Sequence, residues 1–203
     1  MQAREHWDEV YRTKASTAVS WYQPSPEPSL RALDQFVSGK SDSLVDVGGG
    51  ASSFVDELLV RGWTDVTVLD VAAAGLQVSQ QRLGGRAERV NWVVSDITGW
   101  HPPRTYDVWH DRAVFHFLTS VEGREGYKQA LVDGTAPSSI VIMATFALEG
   151  PEKCSGLIVQ RYSPETLSQE LGSEFQLLQA WQENHSTPSG SEQAFNWYVF
   201  KRV

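Results

Sequence analysis

From Ser43 to Ala147 the chain alternates short apolar runs rich in β-branched residues with stretches of helical spacing. Leu44–Val47, Val66–Leu69, Val90–Val94, Tyr106–His110 and Ile140–Phe146 read as strands. Phe54–Arg61, Leu76–Leu83 and a stretch ending near Asp133 read as the helices between them. That order predicts parallel strands joined by right-handed crossovers, a doubly wound sheet. Boundary residues agree: Ser52-Ser53 can cap one helix, Gly84-Gly85 can end another, and Pro137 is expected to stop a third before a buried strand. After Gly150 the pattern changes to a loop through Gly156, a helix capped at Ser163-Pro-Glu, and two long runs, Phe175–Glu183 and Ala194–Arg202. The turn-rich Ser186–Ser191 joins these runs, so they read as an antiparallel pair. Ahead of Ser43 lie a short helix holding Trp7 and Tyr11, a proline-rich loop Trp21–Pro28, and a helix Ser29–Val37. The expected class is α/β: a doubly wound, seven-stranded, mostly parallel sheet ending in a C-terminal antiparallel strand pair, within one domain over 1–203.

With 203 residues the chain can bury roughly 70% of its unfolded surface around one core. Its 17 Lys+Arg are outnumbered by 25 Asp+Glu, a formal net charge of −8, and the basic residues are scattered. Nucleic acid is therefore not the expected partner, because phosphate binding needs a concentrated basic surface. The single Cys154 excludes an intrachain disulfide and has no metal-ligand spacing, which fits a reducing cytoplasm. The longest apolar run, Ile140–Leu148, is too short to span a bilayer, and the first six residues lack the apolar core of a signal peptide, so a soluble protein without a membrane or metal is expected. Eight Trp is high for this length, and Trp7, Trp21 and Trp197 lie towards the termini, where some can line a pocket.

The first strand runs into Asp46-Val-Gly-Gly-Gly50 and then a helix, a turn expected to aim backbone N–H groups and a positive helix end at one crevice. Asp70 and Asp96 follow the second and third strands. Strand ends in an open α/β sheet face the ligand crevice, so three carboxylates should converge on one ligand, suiting a cationic or hydroxyl-rich molecule. Gly48-x-Gly50 with an acid about 20 residues on also fits a dinucleotide fingerprint, but Ser53 replaces its third glycine and the terminal hairpin opposes that reading.

With Asp46, Gly48, Gly49, Gly50, Asp70 and Asp96 in this order, nearly the whole chain resembles the class I S-adenosylmethionine-dependent methyltransferases. The resemblance implies a Rossmann-like fold and S-adenosyl-L-methionine as cofactor. The glycines would admit its methionine part, Asp70 with Val71 would meet the ribose hydroxyls, and Asp96 with Ile97 the adenine. Residues 1–40 would cover the cofactor, with Trp7 and Tyr11 over the methionine end and Trp21 at the acceptor. Residues 41–147 would form the cofactor-binding core, and 148–203 the acceptor side. The fourth strand in such enzymes ends beneath the transferable methyl, which assigns His110 as a base, Asp111 to the cofactor ammonium and Arg112 to a carboxylate of cofactor or substrate; Asp111 and Arg112 capping and pairing at a helix start is the alternative. His116, among Phe115, Phe117 and Leu118, reads as packing. The tail, with Cys154-Ser-Gly156 and Glu183-Asn-His185, is most similar to the tellurite-resistance, small-acceptor type, making Glu183 an acceptor contact and His185 a second candidate base. A small soluble nucleophile is the expected acceptor. A protein-lysine acceptor is the alternative, since the N-terminal aromatic segment also resembles that branch, and a non-catalytic cofactor-binding protein is a third reading.

Overall fold

The computed structural model describes residues 2–203, with helix α1 at Gln2–Thr13 and α2 at Glu27–Phe36 ahead of the sheet. Then follow β1 (Leu44–Val47), α3 (Phe54–Val60), β2 (Val66–Asp70), α4 (Ala73–Leu83), β3 (Val90–Val94), β4 (Tyr106–Arg112), α5 (Val121–Asp133) and β5 (Thr135–Phe146). A two-stranded ribbon, β6 (Lys153–Cys154) and β7 (Leu157–Ile158), precedes α6 (Pro164–Leu171), β8 (Phe175–Ser186) and β9 (Glu192–Arg202). One seven-stranded sheet runs in the order β3-β2-β1-β4-β5-β9-β8; β1 to β5 are parallel, and β9 is antiparallel to both β5 and β8. The expected doubly wound sheet with a terminal antiparallel pair is the observed one.

Side chains alternate across this sheet with the two-residue period of a strand. Leu44, Val66, Val68, Val108, Ile142 and Val199 pack with α2, α3 and α4 on one face. Val45, Val47, Trp109, Val141, Met143 and Tyr198 pack with α5 and α6 on the other. Both faces of β1 and β2 are buried, which is why those strands are continuously apolar except at Thr67 and the acids near their carboxyl ends.

Two boundaries differ from expectation. Helix α5 ends on Gly134, and Pro137 lies inside β5, where the pairing with β4 shifts register between Tyr106 and Val108. The Ser139 hydroxyl accepts from Ala136 N and donates to the Tyr106 carbonyl, bridging the irregular stretch. The segment read as a loop after Gly150 contains the β6–β7 ribbon. Elsewhere the local signals hold: Gly84 ends α4 with φ +57°, and Ser163 and Thr166 form a reciprocal capping box on α6.

Helix α1 is fastened across the carboxyl edge of the sheet. The Asp8 carboxylate accepts from Ala74 N at 3.1 Å, capping α4 from another element, and Arg4 Nε donates to the Val71 carbonyl. Among the described residues no helix is long and apolar enough to cross a membrane.

The face carrying α5 depends on one buried polar chain: Trp109 Nε1 donates to the Tyr127 hydroxyl, which donates to Asp111 Oδ2 at 2.6 Å. Tyr127→Phe leaves the Trp109 indole N–H without its acceptor and removes one of the two donors to Asp111 Oδ2, which Phe115 N still contacts, and a loss of about 1–3 kcal/mol in urea denaturation is expected; an unchanged midpoint would show that the chain is dispensable.

Candidate functional site

The carboxyl ends of β1, β2 and β4 and the loop after β3 frame a cavity of about 230 Å³. It lies where the strand order reverses, with β1 between β2 and β4. Gly48, Asp70 and Val71 border it from the first two strands, Asp96, Ile97 and Thr98 from the third, and Arg112, Val114, Phe117 and Leu118 from the fourth. Trp7, Tyr11 and Trp21 close it from the N-terminal segment, and Cys154 and Leu157 from the ribbon. The aromatic residues support one another edge-on, Trp7 lying 5.5 Å from Trp21 and 5.1 Å from Phe117.

The glycine turn departs from expectation in one respect. Gly48 N and Gly49 N do not face a ligand but both donate to the Leu69 carbonyl, at 2.7 and 3.2 Å. What the glycines supply is room. Gly48 has φ +72° and Gly50 φ +38°; a Cβ on the first would overlap Val114, and one on the second the Tyr11 hydroxyl and the Asp70 carboxylate. Arg82 holds the far side of the turn, donating to the Ala51 and Ser52 carbonyls while paired with Asp56 at 2.7 Å.

Asp70 is buried at the end of β2, with Oδ1 accepting from Ala72 N at 2.8 Å. Burial pushes its carboxyl up to about 7; the Ala72 bond offsets this in part, while Asp46 and Asp8 add to it. Asp46 is buried too: Oδ1 lies 2.7 Å from His110 Nδ1, while Oδ2 has no partner among the described residues. A space of about 40 Å³ beside Asp46 is also bordered by Gly48, Gly49 and Arg112. Asp96 is exposed at the cavity, with Oδ1 turned back to Thr98 N and Oγ1.

His110, Asp111 and Arg112 do not share one destination, and the strand period is the reason. His110 points to the α2 face, against Phe54 at 4.3 Å, and its Nε2 meets the Ser29 hydroxyl at 2.9 Å. Since a carboxylate oxygen only accepts, Nδ1 carries the proton shared with Asp46 and the Ser29 hydroxyl takes up Nε2. With both nitrogens engaged and the ring 2% exposed, His110 is not a free base; this corrects its expected role. Asp111 points to the α5 face and accepts from Val114 N, Phe115 N and the Tyr127 hydroxyl, so it caps the turn after β4 and is not open to an ammonium group. Burial still pushes its carboxyl up to about 6, against those bonds. Arg112 alone of the three borders the cavity.

The hairpin residues lie further out. Glu183 accepts from Trp197 Nε1, and His185 Nε2 donates to the Ser20 carbonyl at 2.8 Å; neither borders the cavity, contrary to the expectation for both. Burial and then Arg112 push the His185 pKa below its ordinary value. His116 packs as expected, fully buried with Nδ1 accepting from Phe146 N. Sequence reading missed Ser29, Asp8 and Arg82, which act across 81, 66 and 26 to 31 positions. Phe117 and Leu118 could have been found as the apolar steps following an already suspected strand end.

No protein-family model matches the chain. A malonyl-[acyl-carrier protein] O-methyltransferase of Ilyobacter polytropus is 27% identical over 89 residues, 42% of this chain; the match spans 33% of that protein's length. A SAM-dependent methyltransferase from Anabaena variabilis superposes with a TM-score of 0.76 at 15% identity, covering 99% of this chain and 93% of that one. The N-methyltransferase NodS of Bradyrhizobium japonicum, solved with S-adenosyl-L-homocysteine, gives 0.73 at 16% identity over 96% and 97%. The chain has the class I methyltransferase fold.

Asp70 has a measurable signature independent of any ligand. Its folded pKa of about 7 exceeds the ordinary 3.8, so its contribution to stability is whole below the lower value and is lost as pH rises through the higher. Asp70→Asn is therefore expected to gain on the parent steadily from pH 4 to 7 in thermal melts; a gap constant across that range would show an unshifted carboxyl.

Proposed function

We propose that the chain transfers a methyl group from S-adenosylmethionine to a small soluble nucleophile. One observation carries the reading: two buried carboxylates, one with a partnerless oxygen, stand beside a glycine turn at the reversal point of the sheet. Buried negative charge without partners is costly and is offset by a ligand that brings positive charge or hydroxyl donors. When bound, S-adenosylmethionine supplies a sulfonium-activated methyl that passes to a nucleophile in line with the departing sulfur.

The residues fit that molecule. Asp70, with Val71 beside it, takes the ribose hydroxyls, and Asp96 with Ile97 takes the adenine edge. The free Oδ2 of Asp46 takes the ammonium, and His110, held by Ser29, fixes the carboxylate so that this oxygen stays free. Gly48, Gly49 and Gly50 leave the space, and Trp7 and Tyr11 cover it and exclude water. Trp21 and Arg112 border the acceptor side. Among the described residues no histidine with a free nitrogen borders the cavity, so the acceptor is one that arrives deprotonated or gives its proton to water. Burial pushes the Cys154 thiol up to about 11, which leaves it no role as a nucleophile. A cavity enclosed by Trp7, Trp21 and Phe117 favours a small acceptor of the tellurite-resistance kind over a protein lysine.

Two measurements test this. In calorimetry, S-adenosylmethionine is expected to bind where a nicotinamide dinucleotide does not, and Asp70→Ala to weaken it by at least about tenfold while the variant stays folded. The opposite cofactor preference would overturn the reading. With labelled cofactor and a cell extract, label is expected in the small-molecule fraction. Label confined to large species would transfer the role to a protein acceptor, and none at all would leave a binding protein without turnover.

A further inference from the structure

Arg112 ends β4 as a cation with almost nothing to neutralise it. Its Nη1 donates to the Trp21 carbonyl at 2.9 Å, and the guanidinium lies over the Phe195 ring at 5.3 Å. Nε and Nη2 are shut off from solvent and have no partner among the described residues. The acids that feel it through space make no direct contact with it among the described residues: Glu183 accepts from Trp197 Nε1, and Asp46 meets His110 through Oδ1 and leaves Oδ2 free. Its charge, without a direct ion pair, registers on its neighbours. After burial, Arg112 is the main influence holding His116 down at about 3, and it opposes the upward push of burial on Cys154. The next residue, Ala113, turns with φ +71°, a strained conformation for a side-chain-bearing residue and one that recurs at ligand sites.

A buried arginine is ordinarily paired, because removing its charge from water is expensive. Here a neutral carbonyl and a ring face are the only partners, in a residue that borders the cavity. Around it, Trp7, Trp21, Phe117, Leu118 and Leu157 give apolar walls. We propose that the methyl acceptor is a small molecule with an apolar, flat or branched body and a carboxylate, and that the Arg112 guanidinium turns towards the cavity to receive that carboxylate on the N–H groups that have no partner at rest. The proposal rests on the methyl-transfer reading of this cavity and adds the acceptor's charge to it. The planar fork of the guanidinium matches the two oxygens of a carboxylate, so the contact sets orientation as well as affinity. Arg112 also borders the small space beside Asp46, so the cofactor's own carboxylate is the competing source of the same chemistry. Its remaining neighbours, Cys154, Leu157, Glu183 and Phe195, belong to segments that follow the parallel core, which favours the acceptor.

The full chain, loaded with S-adenosylhomocysteine, is titrated by calorimetry with benzoate, phenylacetate and indole-3-acetate and with the primary amide of each. At least one carboxylate is expected to bind about tenfold or more tightly than its amide, a preference that Arg112→Met abolishes while S-adenosylhomocysteine binding stays within about threefold. The melting temperature of Arg112→Met is expected to hold or rise, since the variant removes an unpaired charge. Carboxylates that bind no better than their amides, or not at all, overturn the proposal. So does an Arg112→Met protein whose S-adenosylhomocysteine affinity drops to that of 5′-methylthioadenosine, which lacks the amino-acid tail; the arginine then serves the cofactor. If Arg112→Met fails to fold, the parent's carboxylate-over-amide preference still decides, and Arg112→Lys, which keeps charge without the fork, is expected to retain only part of it. A parent that binds no S-adenosylhomocysteine fails the methyl-transfer reading itself and is recognised before any carboxylate is added.

Discussion

The site depends on the Leu69 carbonyl. By accepting from both Gly48 and Gly49 it pulls the turn after β1 against the end of β2, and that brings the Asp46 and Asp70 carboxylates into one buried corner. The glycines are required because the turn has positive φ and passes too close to Val114, Tyr11 and Asp70 for any side chain. Everything polar nearby then manages negative charge: Ala72 N on Asp70, the His110 ring on Asp46, and Arg82 on the carbonyls at the start of α3. The arrangement is incompletely neutralised in the protein alone, which is a property expected of a site for a cation.

Charge is separated along the cavity. Asp70 and Asp96 border it from the end of β2 and the loop after β3, Arg112 from the end of β4, and Trp7, Tyr11, Trp21 and Phe117 complete the wall. Such a layout orients a ligand before any single contact is optimised, because reversing it would set like charges together. The proposed methyl transfer would need donor and acceptor in line more than a proton relay, and a polarised slot would meet that need with few reacting side chains. The engagement of His110 by Asp46 and Ser29 and of His185 by the Ser20 carbonyl is consistent with it.

Elements with strong local signals were legible in the sequence. The two-residue period of the strands, the glycine turn, the Gly84 stop and the Ser163 cap each act within a few residues, and the structure has them where the pattern predicts. The terminal hairpin was legible for the same reason. Assignments that failed depended on which face a residue takes or on distant partners. His110, Asp111 and Arg112 are adjacent in sequence and diverge in space because a strand alternates. Only the register of β4 and the placement of Ser29 and Tyr127 determine what each one touches. Pro137 looked like a helix stop because the hydroxyl of Ser139, which makes a proline tolerable inside β5, carries no recognisable signature.

Asp8 carries a further consequence. Its carboxylate is at once the fastening of α1 and the cap of α4. Lifting α1 therefore exposes an uncapped helix end next to the Asp70 loop, and the two events share one free energy. The cover over the cavity is in this sense a latch, whose release frays the first turn of the helix beneath it.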